Sequence, residues 1–265
     1  MEKKGTEKSE YHIMKKIFYR IAMVICLVVF CYCGYRLYGI WNEGHQIKKE
    51  TQQLEQLLKP SNDVTQKDEN VLEPDWAALQ AQNSQIIGWI LVPGTGISFP
   101  VVQGTDNSYY LTHTVAGEYN YRGSIFLDYE ASPNFTDDNS IIYGHSVDVG
   151  GMFTNLKDFE DQSFFEDHPY FWLLTPEQNY RCDIFAFFKQ DESAAVYTTG
   201  FGDYRDSIIQ TMHDQALYWR DVPLEEKRMV SLSTCDLDYG FDSIQRLVLS
   251  AVLEPWSEPI TATAD

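Results

Sequence analysis

The chain has 265 residues, 44% of them hydrophobic, which is enough for one or two packed domains. After residue 36 only 13 Lys/Arg stand against 36 Asp/Glu, a formal charge of −23, and this excludes nucleic acid as a partner because phosphate binding needs a basic face. Of five cysteines only Cys182 and Cys235 lie beyond that point, too few for a disulfide framework.

Residues 1–20 carry six Lys/Arg against three Glu, and 21–35 carry no charge. With its flanks the apolar run reaches roughly 20 to 25 residues, enough to cross a bilayer once. Bulky residues follow it (Tyr35, Tyr38, Trp41), so it lacks the small-residue cleavage site of a signal peptide and reads as an uncleaved anchor. The basic flank sets the N-terminus in the cytoplasm and the remainder outside. The chain therefore divides into a basic cytoplasmic tail (1–20), a transmembrane anchor (21–41), a helical stalk and spacer (42–72), a folded domain (73–256) and a mobile tail (257–265). The stalk helix, 41–58, is rich in helix formers and ends before Pro60. Polar, acidic 61–72 suits a flexible spacer.

A short helix over 74–83, with Pro74 near its start, opens the folded domain. Strands follow at 87–92 and 97–103, joined by the turn Pro93-Gly94-Thr95-Gly96, with Pro100 at an edge or bulge. Residues 106–113 read as a helical turn, 123–128 and 140–144 as strands, and 152–156 and 163–165 as two short helices. Strands at 170–175 and 180–189 precede a helix at 204–219, where Ile208, Met212 and Leu217 recur at helical spacing. Cys182 sits in mid-strand and reads as a buried small hydrophobe. In 229–234, Val230, Leu232 and Thr234 share one face; Ser231, Ser233 and Cys235 share the other. A ten-residue polar loop leads to 246–253, where Leu247, Leu249, Ala251 and Leu253 form an apolar face. About eight short strands with few helices predict a mainly β fold, a closed or nearly closed barrel.

If the last two strands pair as a hairpin, Cys235 and Arg246 leave the apolar face together at one sheet end. A thiol beside a guanidinium is a candidate nucleophile, and it needs a proton carrier. Among six histidines, His145 closes the strand 140–144 and projects from a sheet end as Cys235 does. Metal binding is disfavoured by the lack of any Cys-x-x-Cys or His-x-x-x-His, and Asp128/Glu130 and Asp236/Asp238/Asp242 read as solvated loop charges rather than calcium ligands.

These residues resemble the sortases, membrane-anchored cysteine transpeptidases of Gram-positive surfaces, and class B above all. The resemblance is carried by Leu232-Ser233-Thr234-Cys235 with Arg246 downstream, and by Tyr143-Gly144-His145 followed by Met152-Phe153-Thr154-Asn155-Leu156. Gly88-Trp89-Ile90, Phe99-Pro100-Val101-Val102-Gln103, Asp106 to Leu111 and Gly123 to Asp128 extend it over about residues 75 to 254. It implies an eight-stranded sortase-like barrel, with N-terminal helices and a helix inserted before the strand that carries the Cys. It further implies that Cys235 attacks the carbonyl of a threonine in a sorting signal to form a thioacyl enzyme. His145 would then serve as acid and base and Arg246 as holder of backbone and oxyanion, with an amine of a peptidoglycan precursor as acceptor. Ser233, Thr234, Asn107, Leu111 and Tyr197 would line the groove. The family needs no metal or organic cofactor. Two alternatives remain: a pilus-type sortase joining pilin subunits, and an inactive membrane-tethered binding domain.

Overall fold

The computed structural model describes residues 3–58, 71–147, 150–240 and 243–261. The chain divides into two compact units, Met1–Gln46 and Ile47–Asp265.

The first unit is helical. Helix α1 (Lys3–Glu55) begins in it, and apolar side chains from Met14 to Trp41 stand exposed, Phe30 at 76%. So much bare apolar surface is unfavourable in water, and the helix is long and apolar enough to cross a membrane. Helix α1 takes in both the expected anchor and the expected helical stalk as far as Glu55, because helix formers dominate beyond Trp41 and no proline intervenes before Pro60. A 3-10 turn, Gln56–Leu58, follows. The expected spacer falls mostly on 61–70, outside the described residues, as do 262–265 of the expected mobile tail. Within 257–261, Ile260 is 2% exposed, and its carbonyl accepts a 2.8 Å hydrogen bond from the Leu72 amide.

In the second unit, helix α2 (Trp76–Gln82) is capped by Asp75, whose carboxylate accepts from the Ala78 amide. Among the described residues nine strands follow: β1 (Ile86–Val92), β2 (Ile97–Val102), β3 (Ile125–Leu127), β4 (Asn139–Tyr143), β5 (Tyr170–Leu174), β6 (Asn179–Asp191), β7 (Tyr218–Trp219), β8 (Met229–Cys235) and β9 (Gln245–Trp256). Eight close into a barrel in the order β5-β1-β2-β3-β4-β8-β9-β6, with β6 pairing back onto β5. β7 adds two residues to the far half of β6. All eight expected strands are therefore the barrel strands. Pro100 stands opposite Trp89 of β1, and β3 pairs with β2 only from Val101 onward, so the proline interrupts no ladder on that side.

The interior is packed by side chains such as Ile90, Val101, Phe171, Phe187, Leu232 and Leu249. Outside, Leu79 of α2 covers Trp89 and Leu174, and helix α4 (Arg205–Gln215) lays Met212 over Phe185, Phe188 and Val248. Cover on both faces explains why β1 reads as an unbroken apolar run. The expected helix at 204–219 is corrected at its end. It stops at Gln215, because Tyr218 and Trp219 pair with Phe187 and Ala186 of β6 instead. The two expected short helices become the 3-10 segment Thr154–Glu160 and α3 (Gln162–Asp167).

Candidate active site

Three adjacent strands place three side chains at one barrel end. β4 runs parallel to β8 with Tyr143 opposite Ser233, and the Gly144 amide donates to the Ser233 carbonyl at 3.1 Å. His145 follows two residues after the last pair of that ladder, and Cys235 ends β8 two residues after Ser233. β8 runs antiparallel to β9, with Cys235 directly opposite Arg246. Side-chain alternation then settles the face. Val230 and Leu232 point into the barrel, and so do Leu247 and Leu249; hence Cys235 and Arg246 turn outward. Gly144 is needed at the bend, since a Cβ there would lie 2.4 Å from the Ile125 side chain and 2.7 Å from that of Phe153.

His145 is oriented by backbone. Its Nε2 lies 2.8 Å from the Leu111 carbonyl. A carbonyl only accepts, so Nε2 carries a proton and Nδ1 remains to take one up or give one away. Arg246 is half-buried, and its Nη1 donates to the carbonyls of Ser243 (2.6 Å) and Gln245 (3.1 Å), while Nη2 stands 3.3 Å from Glu192 Oε2. Those contacts use three of the five N–H donors of a guanidinium. Among the described residues Nε–H and one Nη2 hydrogen meet no acceptor. Cys235 is half-buried and free, and Cys182 is free but lines the barrel interior, where burial pushes its thiol well above the ordinary range. The two thiols lie on opposite faces of the wall and cannot bridge.

The other expected site residues divide. Tyr197, in the 3-10 turn Ala195–Tyr197, shares a 2.7 Å hydrogen bond with Ser233 Oγ, so these two come together and Ser233 is only 2% exposed. Burial first of all pushes the Tyr197 phenol up to about 12. Leu111 is 37% exposed, and the feature that reaches His145 is its carbonyl rather than its side chain. Asn107 is committed at both ends: its Nδ2 donates to Asp128 Oδ2 at 2.9 Å, and its Oδ1 accepts from the Tyr129 amide at 3.0 Å. Thr234 turns the other way from Cys235 and is 2% exposed, its hydroxyl buried without a hydrogen bond, so it offers a groove only its backbone.

Two residues that sequence reasoning left out of the site belong to its surroundings. Tyr143, two residues before His145 on the same face, donates its hydroxyl to Asp128 Oδ2 at 3.2 Å, and burial chiefly raises its phenol above the ordinary range. Lys189 pairs with Glu160 and Asp236 at 3.1 and 3.4 Å. The reading of Asp128 and Asp236 as solvated loop charges is thus corrected. Asp128 accepts from Tyr143, Asn107 and the Glu130 amide, and the Asp236 side chain is wholly buried against a lysine. Asp242 lies outside the described residues. No short sequence signal marks Lys189, but Tyr143 stands inside the Tyr-Gly-His triplet already singled out.

The pattern of the Sortase domain family matches residues 90–254. Sortase B of Listeria monocytogenes is 35% identical over 182 residues, covering 66% of this chain and 72% of that protein. Among solved structures, sortase B of Bacillus anthracis superposes with a TM-score of 0.69 at 29% identity, covering 82% of this chain and all of the other. A Streptococcus pyogenes class B sortase involved in pilus biogenesis superposes with a TM-score of 0.61 at 32% identity, covering 68% of this chain and 98% of the other.

Proposed function

Because the chain belongs to the sortase family of transpeptidases, we propose that it cuts a C-terminal sorting signal after threonine and passes the protein to a cell-wall amine through a Cys235 thioacyl intermediate. One observation supports the reading: Cys235 stands directly opposite Arg246 at the end of the β8–β9 ladder, and His145 follows the last residue of the neighbouring strand β4 at the same end. The Cys235 thiol passes its proton to His145 and its sulfur attacks the threonine carbonyl carbon, forming the C–S bond as the carbonyl oxygen takes up negative charge. The free N–H groups of Arg246 accept that charge, a task their fixed cation suits. His145 gives a proton to the departing amine as the peptide C–N bond breaks. In the second half an incoming amine attacks the thioester, His145 takes its proton, and the thiolate leaves. Tyr197, Ser233, Leu111, Asn107 and the Thr234 backbone border the peptide's path. Helix α1 tethers the enzyme to the membrane, with the basic N-terminus inside and the barrel outside. No metal or organic cofactor enters.

A second reading, joining of pilin subunits with a lysine as acceptor, draws on the likeness to the Streptococcus pyogenes enzyme of pilus biogenesis. Fold alone does not separate the two acceptors. The test is to incubate the full-length protein in detergent with a library of quenched threonine-containing pentapeptides and to map Cys235 by mass spectrometry. Cleavage after threonine with an acyl adduct on Cys235 is expected. Cleavage that survives Cys235→Ala would sink the assignment. Competing glycine-type and lysine-type amines then identify the acceptor.

A further inference from the structure

Lys189 stands at the end of β6 and takes no part in the chemistry just described. Its Nζ lies 3.1 Å from Glu160 Oε1, 3.4 Å from Asp236 Oδ2 and 3.6 Å from Asp238 Oδ2. Ligand atoms of these three carboxylates fall within 4.8 Å of one another, and Lys157 adds a second cation 2.5 Å from Asp238. Like charges so close repel unless a cation stands among them. Here the Lys189 ammonium occupies that place.

Each member of the cluster is tied to a segment that carries a site residue. Asp236 is the covalent neighbour of Cys235, and its amide donates to the Gln245 carbonyl at 3.0 Å, closing the base of the loop. One Asp236 oxygen accepts from the Asp238 amide at 3.1 Å, whereas Oδ2 is buried with no hydrogen bond. Its compensation is the Lys189 ion pair. Glu160 ends the 3-10 segment Thr154–Glu160, which follows the loop of His145, and the Phe153 amide before that segment donates to the His145 carbonyl at 3.0 Å. Lys189 itself stands opposite Leu247 in the β6–β9 ladder, and the next pair is Gln190 with Arg246.

We propose that Lys189 is a positioning residue for the transfer reaction: by neutralising buried Asp236 and drawing Glu160 to it, the ammonium fixes Cys235 relative to His145 and Arg246. The inference rests on the function proposed above. Removing one partner of a buried pair leaves the other charge uncompensated. Asp236 would then move toward water and carry Cys235 with it. A displacement of about an ångström at reacting atoms is enough to slow a step by up to roughly a hundredfold.

The experiment compares wild type, Lys189→Gln and Lys189→Arg as full-length proteins in detergent, reading kcat and KM on the best cleaved peptide and the rate at which a vinyl sulfone alkylates Cys235. Lys189→Gln is expected to lose about tenfold or more in kcat with KM within about twofold, and to slow alkylation about fivefold; Lys189→Arg should recover most of both. Lys189→Gln within twofold of wild type in both measurements, or Lys189→Arg no better than Lys189→Gln, would overturn the proposal. If Lys189→Gln does not fold, Lys189→Met/Asp236→Asn, which leaves neither charge of the pair, replaces it. Reduced kcat then supports the clamp, and wild-type kcat refutes it. Should wild type turn over no peptide, the proposed function fails, and the alkylation rates alone still decide the role of Lys189.

Discussion

Cys182 and Cys235 flank the same strand, β9, which pairs its Leu253 with the first and its Arg246 with the second. At Leu253 the wall is dry and apolar, and Cys182 is a packing atom whose thiol burial holds protonated. At Arg246 the wall ends, side chains turn outward, and the same functional group meets a guanidinium and a histidine-bearing strand. The difference teaches that the surroundings of a thiol here come from place in the barrel, not from residue type.

The largest expected effect separates the two thiols directly. Cys235→Ala should reduce peptide cleavage to background, whereas Cys182→Ala should leave kcat within about twofold; comparable losses from both would erase the distinction. Substitutions along β9 sharpen it. Arg246→Lys keeps the charge but loses the planar fork, and should cost about ten- to a hundredfold in kcat with little change in stability. Leu253→Ala should leave the chemistry alone but cost about 2–5 kcal/mol in urea unfolding, from lost burial and a cavity. A smaller change comes from polarity: Cys182→Ser puts a hydroxyl in the apolar interior and should cost about 1–3 kcal/mol, while Cys235→Ser at the rim should stay within about 0.5 kcal/mol.

The smallest effect is pH-linked and belongs to the rim. Tyr197 is held protonated up to about 12 against an ordinary 10, so above pH 10 the unfolded state loses that proton first. Its contribution is therefore intact below pH 10 and is lost as pH rises through about 12. Between those limits wild type should lose stability faster than Tyr197→Phe, as measured by urea midpoints. Parallel curves would mean that Tyr197 is less buried than its contact with Ser233 implies.

Much of this was legible along the chain. Alternating side chains in 229–235 and 246–253 announced both strands and the outward turn of Cys235 and Arg246, because the two-residue period of a strand is local. His145 is legible for the same reason, as a residue just past the end of an apolar run. The expected helix at 204–219 ends early, since Leu217 continues the periodicity while Tyr218 and Trp219 pair with β6, a strand distant in sequence. The burial of Ile260 is not legible locally, because its partner Leu72 lies nearly two hundred positions away.

Local order along the chain thus specified the eight barrel strands to within a few residues, their inward and outward faces, and the pairing of Cys235 with Arg246 at a strand end. Tertiary structure alone decided that a backbone carbonyl at Leu111 holds the His145 ring, that Tyr197 covers Ser233, and that Asp236 is buried against Lys189 rather than solvated. Periodicity depends on neighbours a few residues apart and survives in a string of letters. Burial of a charge and the aim of a carbonyl depend on segments that meet only when the barrel closes.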